Sequence, residues 1–221
     1  MKKNGFTLAE VLITLAIIGV VATLTLPSLM ANTQEQQAIT AFKKAMNTLN
    51  EVAQMNAVVD GFDYSGVTVT TGPSAATVYD ANGVLTQSVW GMMKSKAQVD
   101  QAASINKRVP TTGNSGCKAT LNQIAFRDGT VLCYGNPTNA GGANAYMQAI
   151  IDTNGNKGPN IVSSCGDDAC LTKSSKNIRD QFRITLIGAN AVPGWNTVDG
   201  NGNITEGTDV KDKAAGFAMR K

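Results

Sequence analysis

The chain has 221 residues, with 19 lysines and arginines, 16 aspartates and glutamates, and no histidine. The absence of histidine excludes serine triads, cysteine–histidine dyads and histidine metal sites. Near-neutral charge and an aromatic content of 5% give no reason to expect nucleic acid as a partner, because that binding relies on basic surfaces or stacking platforms.

The chain begins with a short basic leader and a long apolar run. The 21 residues from Val11 to Ala31 carry no charge. As a helix they would extend roughly 31 Å, which matches the hydrocarbon core of a bilayer. An ordinary secretory signal has an apolar region of about 7 to 15 residues, and cleavage near Ala31 would give a soluble secreted protein. The longer run favours a membrane segment.

The segment KNGFTLAEVLITLAIIG resembles the amino-terminal signature of type IV pilins and of the pseudopilins of type II secretion systems. The resemblance implies that a prepilin peptidase cuts between Gly5 and Phe6 and methylates the new amino terminus on Phe6. By position, Glu10 falls on the family's glutamate, Gly19 on its mid-helix glycine and Pro27 on its helix-kinking proline.

Glu10 is the only carboxylate near the apolar run. An unpaired carboxylate at the centre of a membrane helix costs about 2.5 to 3.5 kcal/mol. In the context of the signature, we predict that Glu10 acts in assembly, paired with the ammonium group on Phe6 of a neighbouring subunit. The helix N-terminus would add a favourable dipole interaction. The alternative is an interfacial glutamate that reaches the lipid headgroups.

Pro27 lies inside the apolar run. Proline removes one helical hydrogen bond and clashes with the carbonyl four residues earlier, here that of Thr23. The sequence therefore predicts a helix kink at Pro27, or local melting between Thr23 and Pro27. The alternative is that Pro27 simply ends the span.

The helical pattern continues beyond Pro27 as an amphipathic segment. No glycine or proline occurs between Pro27 and Gly61, so a helix to about Val58 is predicted. One apolar stripe recurs at steps of three and four, formed by Ile39, Phe42, Met46, Leu49 and Val52.

These patterns divide the chain into four parts. They are a prepilin leader over 1–5, a transmembrane and assembly half-helix over 6–31, an amphipathic half-helix over 32–58, and a globular β-rich head over 59–221. The predicted fold class is α+β, with the long N-terminal helix packed on a small antiparallel sheet of about four strands.

Five segments of the head have strand-like composition. They are Val67–Thr70, Thr120–Phe126, Thr130–Tyr134, Tyr146–Asp152 and Gln181–Ile187. Asp128-Gly129 predicts a two-residue hairpin turn between two of these strands. A short helix is predicted over Gln98–Ile105.

All four cysteines follow the apolar run. Cys165 and Cys170 enclose only four residues and are natural disulfide partners, which leaves Cys117 with Cys133. A two-residue turn would set Cys133 opposite Ile124 and place Cys117 roughly 23 Å away, beyond the usual Cα limit of about 6.8 Å. This second pairing therefore requires residues 117–123 to fold back. One zinc ion held by four thiolates is the alternative.

Two loops alternate oxygen-bearing side chains in the manner of calcium loops. The candidate calcium ligands are Asp152, Asn154 and Asn156 in the first loop, and Asp199, Asn201 and Asn203 in the second. Neither loop has a glutamate at the twelfth position. Plain turns are the alternative, because Asn-Gly and Asp-Gly steps favour turns.

The resemblance implies a structural subunit rather than an enzyme. It would be a single-pass protein of the bacterial inner membrane with its head outside the cytoplasm, and later part of a periplasmic or extracellular filament. Its partners would be other pilin-like subunits, the prepilin peptidase and an inner-membrane assembly platform. The alternatives are a membrane-anchored binding module that does not polymerise and a calcium-dependent hydrolase displayed on the membrane.

Overall fold

The computed structural model describes residues 7–68, 78–99, 122–139, 142, 144–155, 157 and 180–220, with the backbone alone for 27–32. In chain order the helices are α1 (Leu8–Val59), α2 (Val89–Lys96) and α3 (Val210–Arg220). The strands are β1 (Asn122–Ala125), β2 (Val131–Tyr134), β3 (Tyr146–Asp152), β4 (Gln181–Ile187), β5 (Asn190–Pro193), β6 (Thr197–Val198) and β7 (Ile204–Thr205).

Helix α1 dominates the structure, with 52 residues and a length of about 78 Å. It ends one residue past the predicted boundary. The N–H groups of Asp60 and Gly61 both donate to the carbonyl of Asn56, and Gly61 has a φ of +77°. Glycine adopts this left-handed conformation without steric cost, so it closes the helix.

Strands β1 to β5 form one antiparallel sheet in chain order, which confirms the predicted α+β class and raises the strand number from about four to five. Strand β4 matches its predicted bounds, and β3 does so as well. Strands β6 and β7 form a separate two-stranded sheet.

The two faces of the five-stranded sheet are covered differently. Side chains that alternate along the strands, among them Ile124, Leu132 and Ile184, join the stripe of α1 in the main core. The stacked rings of Phe42 and Phe182 lie at the centre of this contact, with their centroids 4.3 Å apart. The opposite face carries a smaller apolar cluster of Ala125, Val131, Cys133 and Ile150, against which Trp195 packs.

Arg183 on β4 fastens helix α3 to the head. Its guanidinium lies 4.1 Å from the centre of the Trp195 ring. It also forms ion pairs with Asp212 at 3.1 Å and with Asp209 at 3.5 Å. The two carboxylates balance the charge of the largely enclosed Arg183 guanidinium, and the cation–π contact stabilises it further.

The hairpin between β1 and β2 corrects the predicted turn. The Phe126 N–H donates to the Thr130 carbonyl at 2.9 Å, which leaves three loop residues rather than two. Gly129 takes a φ of +93°, as the glycine of such three-residue loops does. The register shifts by one residue, so Cys133 pairs with Gln123 and not with Ile124.

Two further predictions differ from the structure where it describes them. Val67 and Thr68, the described part of the predicted strand Val67–Thr70, follow a 3-10 turn and lie in no strand. In the predicted helix Gln98–Ile105, the described Val99 forms an isolated bridge to Phe126 instead. Helices α2 and α3 were not predicted, because both are short and each contains a glycine.

Candidate assembly site on the N-terminal helix

The first turn of α1 is held by a reciprocal capping box between Thr7 and Glu10. The Glu10 N–H donates to the Thr7 hydroxyl oxygen at 3.3 Å. The Glu10 carboxylate accepts from the Thr7 N–H and from the Thr7 hydroxyl, both at 2.8 Å. Each side chain satisfies a backbone donor that the helix leaves open. Glu10 is thus already oriented within its own chain.

Thr7 was not singled out from the sequence. The signal was present, because Thr7-Leu8-Ala9-Glu10 has the spacing of a capping box ahead of an apolar run. Gly5 and Phe6, the predicted cleavage and methylation residues, lie outside the described residues.

The first half of α1 is apolar and uncovered. Leu8–Leu26 is the one helical segment in the described part of the chain that is long and apolar enough to cross a membrane. Eleven of its large apolar side chains are between 46% and 79% exposed. A surface of this size is too apolar for water and requires lipid or other protein.

Helix α1 passes through Pro27 without interruption. The local melting allowed by the sequence is therefore not seen, and the kink at Pro27 remains a prediction. Two threonines ahead of the proline bond back to the helix, Thr23 to the Val20 carbonyl and Thr25 to the Val21 carbonyl, each at 2.9 Å. Such bonds satisfy hydroxyl groups in an apolar environment.

The second half of α1 is fixed to the head by polar bonds as well as by packing. The buried Tyr64 hydroxyl donates to the Leu49 carbonyl at 2.8 Å. The Asn50 side-chain oxygen accepts from the Ala191 N–H at 2.6 Å. Burial raises the pKa of Tyr64, so this hydroxyl stays protonated and keeps donating. The head and this second half of α1, called the upper half below, form one unit.

The first predicted calcium loop is closed by its own hydrogen bonds. Asp152 is fully buried, and its carboxylate accepts from the N–H groups of Asn154 and Gly155 and from the Gln181 side chain, at 3.1, 2.6 and 2.7 Å. Burial raises the pKa of Asp152 to about 6. The third candidate ligand, Asn156, lies outside the described residues.

The second predicted calcium loop is an exposed turn. The Asp199 carboxylate accepts from the N–H groups of Asn201 and Asn203 at 2.8 and 2.9 Å, and from the Asn203 side chain at 2.9 Å. The side-chain and backbone bonds from Asn203 lower the pKa of Asp199. No group of three or more acidic, cysteine or histidine residues that could hold a metal occurs in the described residues. Calcium binding remains a prediction, tested by comparing the melting temperature in calcium and in chelator.

Among the cysteines, the described residues contain only Cys133. It is fully buried and disulfide-bonded, with its partner outside the described residues. Cys117, Cys165 and Cys170 also lie outside them, so both predicted pairings remain predictions.

Comparison with known proteins agrees with the geometry of the N-terminus. A family profile described as the prokaryotic N-terminal methylation motif matches residues 1–26. Searches of curated proteins and of solved structures gave no match to the chain. The matched motif implies processing by a prepilin peptidase and assembly with pilin-like subunits in general. The chain thus carries, over residues 1–26, the N-terminal signature of the type IV pilin-like proteins and pseudopilins.

Proposed function

We propose that this chain is a structural subunit of a type IV pilus-like filament or of a type II secretion pseudopilus. It is cut between Gly5 and Phe6, methylated on Phe6, and polymerised through α1. The observation that supports this most directly is the uncovered apolar helix Leu8–Leu26, which lies within the matched methylation motif and carries one carboxylate, Glu10.

The two halves of α1 suit a protein that changes environment without refolding. Lipid tails and neighbouring helices are comparably apolar, so the surface of Leu8–Leu26 serves in the membrane before assembly and in a helical bundle afterwards. The head keeps its own core against the upper half of the helix throughout. Polymerisation then exchanges lipid for protein around one segment only.

Glu10 gives the assembly its specificity in this proposal. The capping box survives cleavage, because Thr7 lies beyond the cut, and it holds the carboxylate at the helix tip. The ammonium group of Phe6 on a neighbouring subunit is the proposed partner. An ion pair in a low-dielectric bundle discriminates between axial registers, because an unpaired carboxylate there is costly.

The first experiment is the mass of the N-terminal peptide from membranes of the native host. Loss of Met1 to Gly5 together with one methyl group on Phe6 supports the proposal. An intact Met1 terminus would mean a plain membrane anchor, and a terminus after Ala31 would mean a secreted protein. Either result would refute a pilin-like subunit.

The second experiment separates assembly from anchoring. Glu10→Ala is expected to abolish incorporation into filaments and to leave membrane insertion unchanged. The matched control is Glu51→Ala, which removes an exposed carboxylate from the upper half of the same helix. Normal incorporation of the Glu10 variant would refute the assembly role of Glu10. Absence of the unaltered chain from filaments would instead favour an anchored binding module that does not polymerise.

A further inference from the structure

Three loops of the head share the sequence Asp-Xaa-Asn-Gly. They are 80–83, 152–155 and 199–202, of which the last two belong to the candidate calcium loops. In each loop the glycine has a left-handed backbone, with φ of +77° at Gly83, +65° at Gly155 and +85° at Gly202. The same four-residue pattern therefore forms the same kind of turn at three separate sites.

The aspartate organises each turn through its side chain. At the first turn, one oxygen of the Asp80 carboxylate accepts from the N–H groups of Asn82 and Val84, at 2.8 and 2.9 Å. The Asp199 carboxylate accepts in the same way from Asn201 and Asn203. Both bonds flank the Asn-Gly peptide and fix its conformation.

The glycine N–H is held in all three turns. Gly83 donates to the Asp80 carbonyl and Gly202 to the Asp199 carbonyl, each at 3.0 Å. Gly155 donates to the Asp152 carboxylate itself at 2.6 Å. The nitrogen that follows each asparagine is thus engaged within the turn.

That nitrogen is the nucleophile of asparagine deamidation. It loses its proton and attacks the side-chain carbonyl carbon of the asparagine, which expels ammonia and closes a succinimide ring. Water then opens the ring to aspartate or isoaspartate. Glycine at the next position normally favours this reaction, because it leaves the nitrogen accessible and the backbone free to rotate.

We infer that the aspartate of each Asp-Xaa-Asn-Gly turn protects the following asparagine from deamidation. It does so by locking the peptide in a turn whose glycine N–H is occupied. Asn82 and Asn201 are exposed, so solvent access alone does not protect them. Asn154 is half-buried and its glycine N–H is bound by a carboxylate, so it is the best protected of the three. This inference is independent of the proposed function.

The test compares two exposed turns in the same full-length protein, purified in detergent. The chain is incubated at mildly alkaline pH and digested, and the deamidated fraction of each Asn-Gly peptide is followed by mass spectrometry. Asp80→Ala is expected to speed deamidation of Asn82 severalfold and to leave Asn201 unchanged. Asp199→Ala is expected to do the reverse, so each variant is the control for the other.

A conservative variant distinguishes the hydrogen bonds from the charge. Asp80→Asn keeps the accepting oxygen and is expected to deamidate at Asn82 as slowly as the unaltered chain. Unchanged rates in both alanine variants would overturn the inference, as would slower rates, which would make the carboxylate a promoter of the reaction. Acceleration at both sites in either variant would also overturn it, because this would show general unfolding.

Discussion

The two halves of α1 have the same secondary structure and opposite surroundings. The lower half, Leu8–Leu26, is apolar on all sides, and none of it is buried in the protein. From Ile39 to Ala53 the helix buries one stripe against the sheet and leaves polar residues outside. Helix continuity therefore says little about what stabilises each half, since one half depends on the head and the other on whatever surrounds it.

The largest expected effect is the loss of a core ring from the upper half. Phe42→Ala removes a fully buried side chain that stacks on Phe182, and it is expected to lower the free energy of unfolding of the head by about 3 to 5 kcal/mol. Chemical unfolding of the full chain in detergent, followed by tryptophan fluorescence, measures this. Leu12→Ala is the control in the lower half and is expected to leave head unfolding unchanged. Equal losses in both variants would contradict the division of the helix.

The converse variant places a charge in the lower half. Ile17 lies near the middle of Leu8–Leu26 and is 59% exposed. Ile17→Lys is expected to weaken membrane insertion by about 2.5 to 3.5 kcal/mol and to leave the unfolding of the head unchanged. The membrane-integrated fraction after alkaline extraction is the measurement. Val58→Lys, at an exposed position of the upper half, is the control. An unchanged membrane-integrated fraction in the Ile17 variant would refute the prediction that Leu8–Leu26 spans the bilayer.

The third prediction concerns a charge inside the head. Burial raises the pKa of Asp152 from 3.8 to about 6, so the folded state binds a proton more tightly than the unfolded state. This contribution to stability is complete below pH 3.8 and is lost as the pH rises to about 6, on the order of 3 kcal/mol in total. It is absent in Asp152→Asn. The measurement is the difference in unfolding free energy between the two proteins from pH 4 to pH 7, and a difference that does not change with pH would refute it.

The sequence predicted the helix and most of the sheet because both have strong periodic patterns. Strands β3 and β4 alternate faces over seven residues each, and the stripe of α1 repeats from Ile39 to Val52. The N-terminal methylation motif could be recognised for another reason, since the residues around Glu10 form a short and distinctive pattern. Periodicity and motif are both properties of consecutive residues.

The remaining features depend on partners that are distant in sequence or on small geometric choices. The register of Cys133 depended on whether the loop at Gly129 holds two residues or three, and Asp-Gly allows both. Helix α3 is short, and its Asp212 pairs with Arg183, which lies 29 residues earlier in the chain. No local pattern indicates such contacts.

The smallest expected effect tests how the polar side of the upper half contributes to the head. Lys44 on α1 forms an ion pair with Asp128 of the β1–β2 hairpin at 2.8 Å, with their side chains 65% and 33% exposed. Although burial opposes it, hydrogen bonds from Lys44 and Thr130 lower the pKa of Asp128. Exposed pairs of this kind contribute about 0.2 to 1 kcal/mol and weaken as salt is added.

Lys44→Ala is therefore expected to destabilise the head slightly at low salt and not at high salt. Lys43→Ala is the matched control, because Lys43 forms no ion pair with the residues that the structure describes. A loss that persists at high salt, or an equal loss at Lys43, would mean that the aliphatic stem and not the charge is what matters on this side of the helix.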